Sequence, residues 1–316
     1  MAEQTTESNP DWTIGRLLEW TRQHFQTRGI EDARLCAELL LAKALDCPKI
    51  ELYARFGDSP SEGHRAAFRE LVQAAAAHRP IAYLVGHKEF YSLDFIVSPA
   101  VLIPRPETEL LVEHALAWCR AHPQARYDLL EIGTGSGCVA VTVAKRDPRV
   151  HVLATDISEP ALAVARQNAD RHGVSDRIAL LRADMLDLPA EARLEGGFDL
   201  ILSNPPYVAE QERDRLPENV REYEPAEALF MRDGAGGGDG APAPTRSFIG
   251  DGLDAFRCIA EGVRGCLRPG GTLLLEIGEG QVDAVTAFCR DVGLEPVARH
   301  RDLSGTERAL QFTLPA

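Results

Sequence analysis

The sequence predicts an α/β protein with a mostly parallel sheet, preceded by a small all-helical domain. Over residues 12–79, apolar residues recur at spacings of three and four, which is typical of amphipathic helices. From residue 127 onward, short runs rich in Val, Ile and Leu alternate with helical stretches, a pattern typical of a parallel sheet covered by helices on both faces. Two final strands near residues 294–300 and 308–314 flank a short turn, which predicts an antiparallel hairpin at the sheet edge.

Composition and charge exclude several classes of protein. The chain has 316 residues, 45% hydrophobic and 26% charged, which suits a globular protein of about two domains. No apolar run approaches the ~20 residues that a bilayer span requires, so we expect no membrane segment. The formal net charge of −14 disfavours a broad electrostatic contact with nucleic acid. The polar N-terminus lacks the apolar centre of a secretory signal, which predicts a cytoplasmic location.

Cysteine and histidine spacing predicts neither a disulfide framework nor a metal site. The seven cysteines include no C-x-x-C pair and are odd in number, which favours reduced thiols. None of the nine histidines has a metal-like spacing with a carboxylate or a cysteine. We therefore predict no bound metal.

Glycine, proline and the change of hydrophobic period predict the domain boundaries. The predicted segments are a disordered tail (1–10), a helical domain (11–86), a β-hairpin connector (87–98) with a turn around residues 92–94, and an α/β domain (99–316). The strands of the parallel sheet are predicted at residues 128–132, 150–155, 178–182, 198–202 and 272–277. Residues 231–248 are dense in Gly, Ala and Pro, which predicts a mobile surface insertion.

A glycine-rich loop, here called the glycine loop, follows the first strand of the predicted sheet. It runs Glu131-Ile132-Gly133-Thr134-Gly135-Ser136-Gly137. Glycines at such a turn let a ligand approach backbone N–H groups, although similar turns also serve packing alone. The G-x-G-x-G spacing differs from the dinucleotide and phosphate-loop patterns. Asp156 ends the next strand, where a carboxylate can accept hydrogen bonds from ribose hydroxyls, so the combination predicts nucleoside binding.

A second loop, here called the acceptor loop, comprises Asn204-Pro205-Pro206-Tyr207 and follows a buried-strand pattern. Two prolines have fixed φ and no N–H, so the loop is stiff and offers carbonyl oxygens as hydrogen-bond acceptors. The Asn204 side-chain oxygen and the Pro205 carbonyl are suited to accept both hydrogens of an NH₂ group while Tyr207 covers the planar group. The alternative is a rigid strand-end turn with an ordinary asparagine. The expected position at the carboxyl end of a strand in the same sheet favours the functional role.

The glycine loop resembles the S-adenosylmethionine loop of class I methyltransferases. The resemblance implies a Rossmann-like sheet, S-adenosyl-L-methionine as cofactor, and a place for Glu131 near the methionine part of the ligand. An acidic site also suits a cationic sulfonium that brings no phosphate. Asp184 and Met185 match the position that usually flanks the adenine ring in this fold, although Met185 alone is equally suited to fill the core.

The acceptor-loop sequence occurs in enzymes that methylate planar NH₂ groups, both DNA adenine and protein glutamine. Further stretches resemble the release factor glutamine N5-methyltransferase family: Tyr83-Leu84-Val85-Gly86-His87-Lys88-Glu89-Phe90-Tyr91, Leu102-Ile103-Pro104-Arg105-Pro106-Glu107-Thr108-Glu109, Glu224-Pro225, Gly252-Leu253-Asp254, and Arg301-Asp302-Leu303-Ser304-Gly305-Thr306-Glu307-Arg308. A sister family acting on a ribosomal protein glutamine usually departs from the Pro104–Glu109 pattern. The family usually has only a short link where this chain carries residues 231–248.

This resemblance implies transfer of a methyl group to the glutamine of a Gly-Gly-Gln motif in peptide chain release factors, with the helical domain helping to hold that protein. Arg105 and Glu107 are candidates for substrate contact. Because they lie just before a predicted helix that starts near Thr108, capping and helix-dipole roles are equally compatible with their position. Asn204, Pro205, Pro206 and Tyr207 are the candidate catalytic residues.

Two further hypotheses remain open at this point. DNA adenine methylation needs a basic, base-reading region, which the net charge of −14 and the absence of Lys/Arg clusters near the N-terminus disfavour. A catalytically inactive protein of the same fold, acting as a binding module, is the other. The intact glycine loop, Asp156 and Asn204 argue against it.

Overall fold

The computed structural model describes residues 12–231 and 248–316. The expected tail at residues 1–10 lies outside these ranges, as does the expected insertion except for its end residues Met231 and Phe248. The chain divides into two compact units at Gly86. No helix within the described ranges is both long and apolar enough to cross a membrane.

The first unit is helical over the part of it that the structure describes. Its helices are α1 (Ile14–Thr27), α2 (Ala33–Leu45), α3 (Lys49–Ala54), α4 (Glu62–Ala76) and α5 (Ile81–Val85). Phe25, Leu40 and Leu52 are fully buried in its core. The Ser61 hydroxyl caps α4 by accepting a hydrogen bond from the His64 N–H at 3.3 Å, as a serine before a helix is expected to do.

The second unit begins with an antiparallel hairpin of β1 (His87–Phe90) and β2 (Leu93–Ile96). The expected turn at residues 92–94 is wrong, because Asp94 pairs with Glu89 inside the ladder. Tyr91 and Ser92 make the turn, both with positive φ (50° and 59°), a conformation that sequence patterns assign to glycine or asparagine. Phe90 and Phe95 are buried in the core of this unit.

The second unit is an α/β sheet with the predicted mixed topology. Its strands are β3 (Tyr127–Ile132), β4 (Val150–Asp156), β5 (Ile178–Arg182), β6 (Phe198–Ser203), β7 (Leu267–Glu276), β8 (Glu295–Arg301) and β9 (Glu307–Thr313). Their order is β5-β4-β3-β6-β7-β9-β8, parallel from β5 to β7 and antiparallel at β9 and β8. The helices are α6 (Glu109–Ala121), α7 (Cys138–Arg146), α8 (Glu159–His172), α9 (Glu218–Tyr223), α10 (Asp254–Val263) and α11 (Val282–Asp291). The predicted fold class is confirmed.

The strand order places the two loops side by side. β3 lies between β4 and β6, and β3 and β6 run parallel with Ile132 opposite Ser203. The chain therefore leaves both strands at the same edge of the sheet, at a point where the strand order reverses. Ligands of open α/β sheets bind in the crevice at such a point.

Asn168 on α8 connects the glycine loop to the hairpin. Its side chain is fully buried. Oδ1 accepts a hydrogen bond from the Ile96 N–H at 2.7 Å, and Nδ2 donates to the carbonyls of Ile96 at 3.0 Å and Ser136 at 2.8 Å. One side chain thus satisfies three backbone groups that would otherwise need partners in the protein interior.

We expect Asn168→Ala to lower the free energy of unfolding by about 2–4 kcal/mol, because it leaves buried backbone groups without partners. Urea denaturation monitored by circular dichroism measures this change. Gln167→Ala is the matched control, since Gln167 is the exposed neighbour on the same helix. An equal, small effect of the two substitutions would contradict the bridging role of Asn168.

Candidate functional site

The glycine loop leaves β3 with positive φ at alternate residues, including 55° at Gly135 and 78° at Gly137. A Cβ at Gly137 would lie 3.2 Å from the Ala165 Cβ, so this glycine allows the loop and α8 to pack closely. A Cβ at Gly135 would meet no heavy atom within 4 Å, so open space adjoins the backbone there. Gly137 therefore serves packing, and Gly135 borders a space that a ligand can occupy.

Glu131 lies beneath the glycine loop and is only 4% exposed. Its Oε2 accepts hydrogen bonds from the Thr134 hydroxyl at 2.6 Å and from the Ala140 N–H at 3.1 Å. Burial raises the pKa of Glu131 to about 8, against the opposing effect of these two hydrogen bonds. In the structure its carboxyl group therefore holds the loop onto the start of α7.

Asp156 ends β4 beside the loop. Its carboxylate accepts hydrogen bonds from the Gly135 N–H at 2.8 Å and the Ser158 N–H at 2.9 Å. Burial raises its pKa, although these backbone N–H groups oppose the shift. Ile157, the next residue, is 50% exposed, and sequence reasoning did not single it out. Its position between Asp156 at the end of β4 and Ser158 at the start of α8 is the sequence feature that could have indicated an apolar surface there.

Asp184 and Met185 follow β5, the neighbour of β4, and the Ala183 N–H still pairs with the Asp156 carbonyl at 3.1 Å. Asp184 is exposed. Met185 has a φ of 49° and packs partly against the sheet core. The structure thus brings both residues to the edge that carries Asp156, and part of the Met185 surface serves the core.

The acceptor loop adjoins the glycine loop. The Ser203 hydroxyl donates a hydrogen bond to the Ile132 carbonyl at 2.9 Å. A Cβ at Gly133 would lie 3.9 Å from the Asn204 backbone oxygen. The two loops therefore border one site rather than two separate cavities.

Residues from later in the chain fix the position of Tyr207. The Gln281 side chain donates from Nε2 to the Tyr207 carbonyl at 3.0 Å and accepts at Oε1 from the Gly278 N–H at 2.8 Å. Gly252 lies so close that a Cβ there would be 2.5 Å from the same carbonyl. The Tyr207 hydroxyl reaches Glu276 Oε1 at 3.4 Å, and burial raises the pKa of this phenol.

Asn204 contacts a residue from the start of α6. Its Nδ2 donates to the Thr108 hydroxyl oxygen at 3.1 Å, and Thr108 is 4% exposed. The nearby Glu276 is 1% exposed. The pKa of Glu276 is raised to about 7, mainly by burial; the charge of Glu107 adds to the shift, and the neighbouring Thr108 hydroxyl opposes it. Oε2 of Glu276 has no hydrogen-bond partner within the described part of the chain, which leaves an acceptor for a bound molecule.

Arg105 makes an ion pair that sequence reasoning did not consider. Its guanidinium lies 2.5 Å from Glu224 Oε1, and Glu224 Oε2 accepts from the Ile103 N–H at 3.1 Å. This pair ties the segment before α6 to the Glu224-Pro225 stretch. Glu107 is half-buried and close enough to raise the pKa of Glu276. A substrate contact by either side chain stays a prediction.

The donor set fits S-adenosylmethionine. The Asp156 carboxylate is of the kind that accepts hydrogen bonds from ribose hydroxyls, and open space adjoins the backbone at Gly135. The carboxylates of Asp156 and the exposed Asp184 favour a cation over an anion. Within the described ranges, no cluster of histidine, cysteine and acidic residues is arranged to hold a metal ion.

Comparison with known proteins decides the family. The PrmC N-terminal domain model matches residues 16–86, and the methyltransferase small domain model matches residues 107–221. The chain is 40% identical to the release factor glutamine methyltransferase of Rhodopirellula baltica, over 99% of both chains. The chain belongs to the release factor glutamine methyltransferase family. The enzyme of the same name from Geobacter sulfurreducens is 38% identical over 96% of this chain and 98% of that protein.

A solved structure agrees on the fold. The N-terminal domain of human METTL16 in complex with SAH matches with a TM-score of 0.50 at 15% identity, over 77% of this chain and 84% of that one. At this identity the likeness concerns the fold alone. Membership of the release factor glutamine methyltransferase family makes the chain a methyltransferase, and the site at the ends of β3, β4 and β6 is where we expect its reaction.

We expect Gly252→Ala to lower the methyl-transfer rate of this methyltransferase by about 10- to 100-fold, because the new Cβ displaces the Tyr207 carbonyl and with it the acceptor loop. Gly250→Ala is the matched control. Gly250 has a φ of 74°, close to the 76° of Gly252, but a Cβ there would meet only the Glu210 Cβ at 3.7 Å.

Both variants bear a similar backbone strain of about 1–2 kcal/mol. Only Gly252→Ala adds the contact with Tyr207, so its thermal midpoint should fall further, and both proteins are assayed well below their midpoints. Initial rates with labelled cofactor separate them. Equal activity of the two variants would mean that the close approach of Gly252 to Tyr207 has no part in the reaction.

Proposed function

We propose that this chain transfers a methyl group from S-adenosylmethionine to the side-chain amide nitrogen of the glutamine in the Gly-Gly-Gln motif of peptide chain release factors. When bound, the cofactor supplies an electrophilic methyl group on a sulfonium sulfur. The glycine loop, Asp156, Asp184 and Met185 are the residues that would hold it.

One observation carries the proposal. Asn204 lies against Gly133, and its Nδ2 is occupied by Thr108. The Asn204 side-chain oxygen is therefore the atom left to face the site, and the Pro205 carbonyl is next in the chain. Two acceptors beside the cofactor loop are complementary to the two hydrogens of a carboxamide NH₂ group.

The chain's own groups can carry out the transfer largely by positioning. The nitrogen of a carboxamide is a poor nucleophile because its lone pair is delocalised into the carbonyl. The Asn204 side-chain oxygen and the Pro205 carbonyl each accept a hydrogen bond from the substrate NH₂ group. These two bonds orient the nitrogen and stabilise the positive charge that the nitrogen acquires as the carbon–nitrogen bond forms. One N–H proton is released in the reaction.

Exposed apolar side chains on the helical unit favour a protein as the substrate. It exposes large apolar side chains that a folded core would normally cover, including Trp20 at 49%, Ile50 at 74% and Phe56 at 52%. We propose that this unit helps to hold the release factor. The relatives named as release factor glutamine methyltransferases align across both units, which supports a shared substrate class.

A labelling experiment tests the substrate. The protein is incubated with methyl-labelled cofactor and, separately, a release factor, the same factor with its Gly-Gly-Gln glutamine replaced, a ribosomal protein and duplex DNA. We expect label on the intact release factor alone. Label on the ribosomal protein would instead indicate a ribosomal-protein glutamine methyltransferase, and label on DNA would indicate a DNA adenine methyltransferase. Cofactor binding without labelling of any acceptor would identify an inactive binding module.

We expect Asn204→Ala to lower the rate of methyl transfer by on the order of 10²–10³, the usual effect of removing one preorganised transition-state contact. Single-turnover kinetics at saturating release factor measures the chemical step. Asn219→Ala, at a half-buried position on α9, controls for the loss of an asparagine elsewhere in the same unit. Near-normal turnover by Asn204→Ala would remove Asn204 from the mechanism.

A further inference from the structure

We propose that Thr108 is a positioning residue that fixes the orientation of the Asn204 carboxamide, with Glu276 as its second partner. This inference rests on the proposed function, because it concerns how Asn204 presents its oxygen to an NH₂ group. Neither Thr108 nor Glu276 was among the candidate residues from the sequence. Both lie within the second unit, and both are buried.

The orientation matters because a carboxamide has two unlike ends. With Oδ1 toward the site, Asn204 accepts a hydrogen from the substrate nitrogen. After rotation by half a turn, Nδ2 would face the substrate NH₂ group, and two donors would meet. The two orientations have nearly the same shape, so packing alone discriminates poorly between them. A polar neighbour of defined hydrogen-bonding role is needed.

Thr108 acquires that role from Glu276. A hydroxyl can donate or accept, so on its own it would tolerate either end of the Asn204 carboxamide. An ionised carboxylate can only accept. Glu276 is buried, its Oε2 has no hydrogen-bond partner in the described chain, and Thr108 is the neighbour that most lowers its pKa, so in this proposal the Thr108 hydroxyl hydrogen is directed toward that carboxylate. The hydroxyl oxygen then serves as acceptor toward Asn204 Nδ2, at 3.1 Å. The chain Glu276, Thr108, Asn204 thus leaves Oδ1 for the site.

The local structure of Thr108 supports this assignment. Thr108 ends a 3-10 turn (Pro106–Thr108) at the start of α6, where a threonine hydroxyl commonly binds a backbone N–H of the helix. Here the side chain makes no such capping bond. Instead, its oxygen accepts a hydrogen bond from Asn204, 96 residues away in the sequence. The hydroxyl therefore serves the site rather than the end of its own helix.

Paired substitutions test the proposal. Thr108→Val keeps the shape of the side chain and removes the hydroxyl, whereas Thr108→Ser keeps the hydroxyl. We expect Thr108→Val to lower kcat about 10-fold, the factor expected from one hydrogen bond, with KM for the release factor and cofactor affinity within about two-fold of wild type. Thr108→Ser should restore most of the rate. A kcat for Thr108→Val within two-fold of wild type would overturn the proposal, as would an equal loss in Thr108→Ser.

The pH dependence of kcat tests the part of Glu276. Its charged and titratable neighbours are Glu107 before α6, Tyr207 after β6 and Arg308 on β9. Burial raises the Glu276 pKa to about 7, so the carboxylate becomes protonated as the pH falls through that value. A protonated carboxyl group can donate to Thr108 and release the constraint on Asn204. We expect kcat of the wild type to decrease as the pH is lowered past about 7, which gives the pH profile an acidic limb. Glu276→Gln should have a lower kcat and should lack this acidic limb. An unchanged limb in Glu276→Gln would exclude Glu276 from this role.

An NMR measurement separates failure of this inference from failure of the proposed substrate. The side-chain ¹⁵N–¹H₂ signals of Asn204 are assigned by their absence in Asn204→Asp. We expect the wild type and Thr108→Ser to protect these protons from solvent exchange, and Thr108→Val to lose the protection. This result needs no acceptor substrate, so it stands even where wild-type enzyme fails to label release factor. Equal exchange in all three proteins would overturn the positioning role.

Discussion

The parallel pairing of β3 with β6 is the constraint on which the site depends. Its register sets Ile132 opposite Ser203, and the Ser203 hydroxyl donates to the Ile132 carbonyl at the point where both strands end. Gly133 of the glycine loop and Asn204 of the acceptor loop are the next residues along the chain. A shift of register by two residues would keep the core pattern of both strands but would separate the two loops by about 6–7 Å. Side-by-side loops therefore follow from backbone hydrogen bonds deep in the sheet.

Buried carboxyl groups are the second common feature of this edge of the sheet. Glu131, Asp156 and Glu276 are each held by hydrogen bonds, and burial raises the pKa of all three. Burying an acid is unfavourable unless it is well paired, so each of them reduces stability relative to an apolar residue of similar volume. Their hydrogen-bond partners belong to the glycine loop, the starts of α7 and α8, and Tyr207. The fold accepts this cost where it shapes a site for a cationic ligand and an amide.

The sequence predicts what depends on local pattern and misses what depends on distant partners. The sequence predicts strand β5 at its observed bounds, because a short run of β-forming apolar residues between polar ones marks a strand locally. The hairpin turn was misplaced, since Tyr91 and Ser92 adopt positive φ without glycine. The Arg105 pair with Glu224 spans 119 residues, and the Asn204 contact with Thr108 spans 96. Such pairs arise from the three-dimensional fold and leave no spacing in the sequence to detect.

The acceptor loop illustrates why those distant partners exist. Its two prolines carry no N–H, so the loop cannot form the hydrogen bonds by which most turns stabilise themselves. Stiffness at Pro205 and Pro206 fixes the local backbone but not its position against the rest of the protein. That position is set by groups from three other segments: Thr108 before α6, Gly252 before α10 and Gln281 before α11. These contacts use the Asn204 side-chain nitrogen and the Tyr207 carbonyl, so the loop is held in place while the Asn204 side-chain oxygen and the Pro205 carbonyl stay available for a substrate.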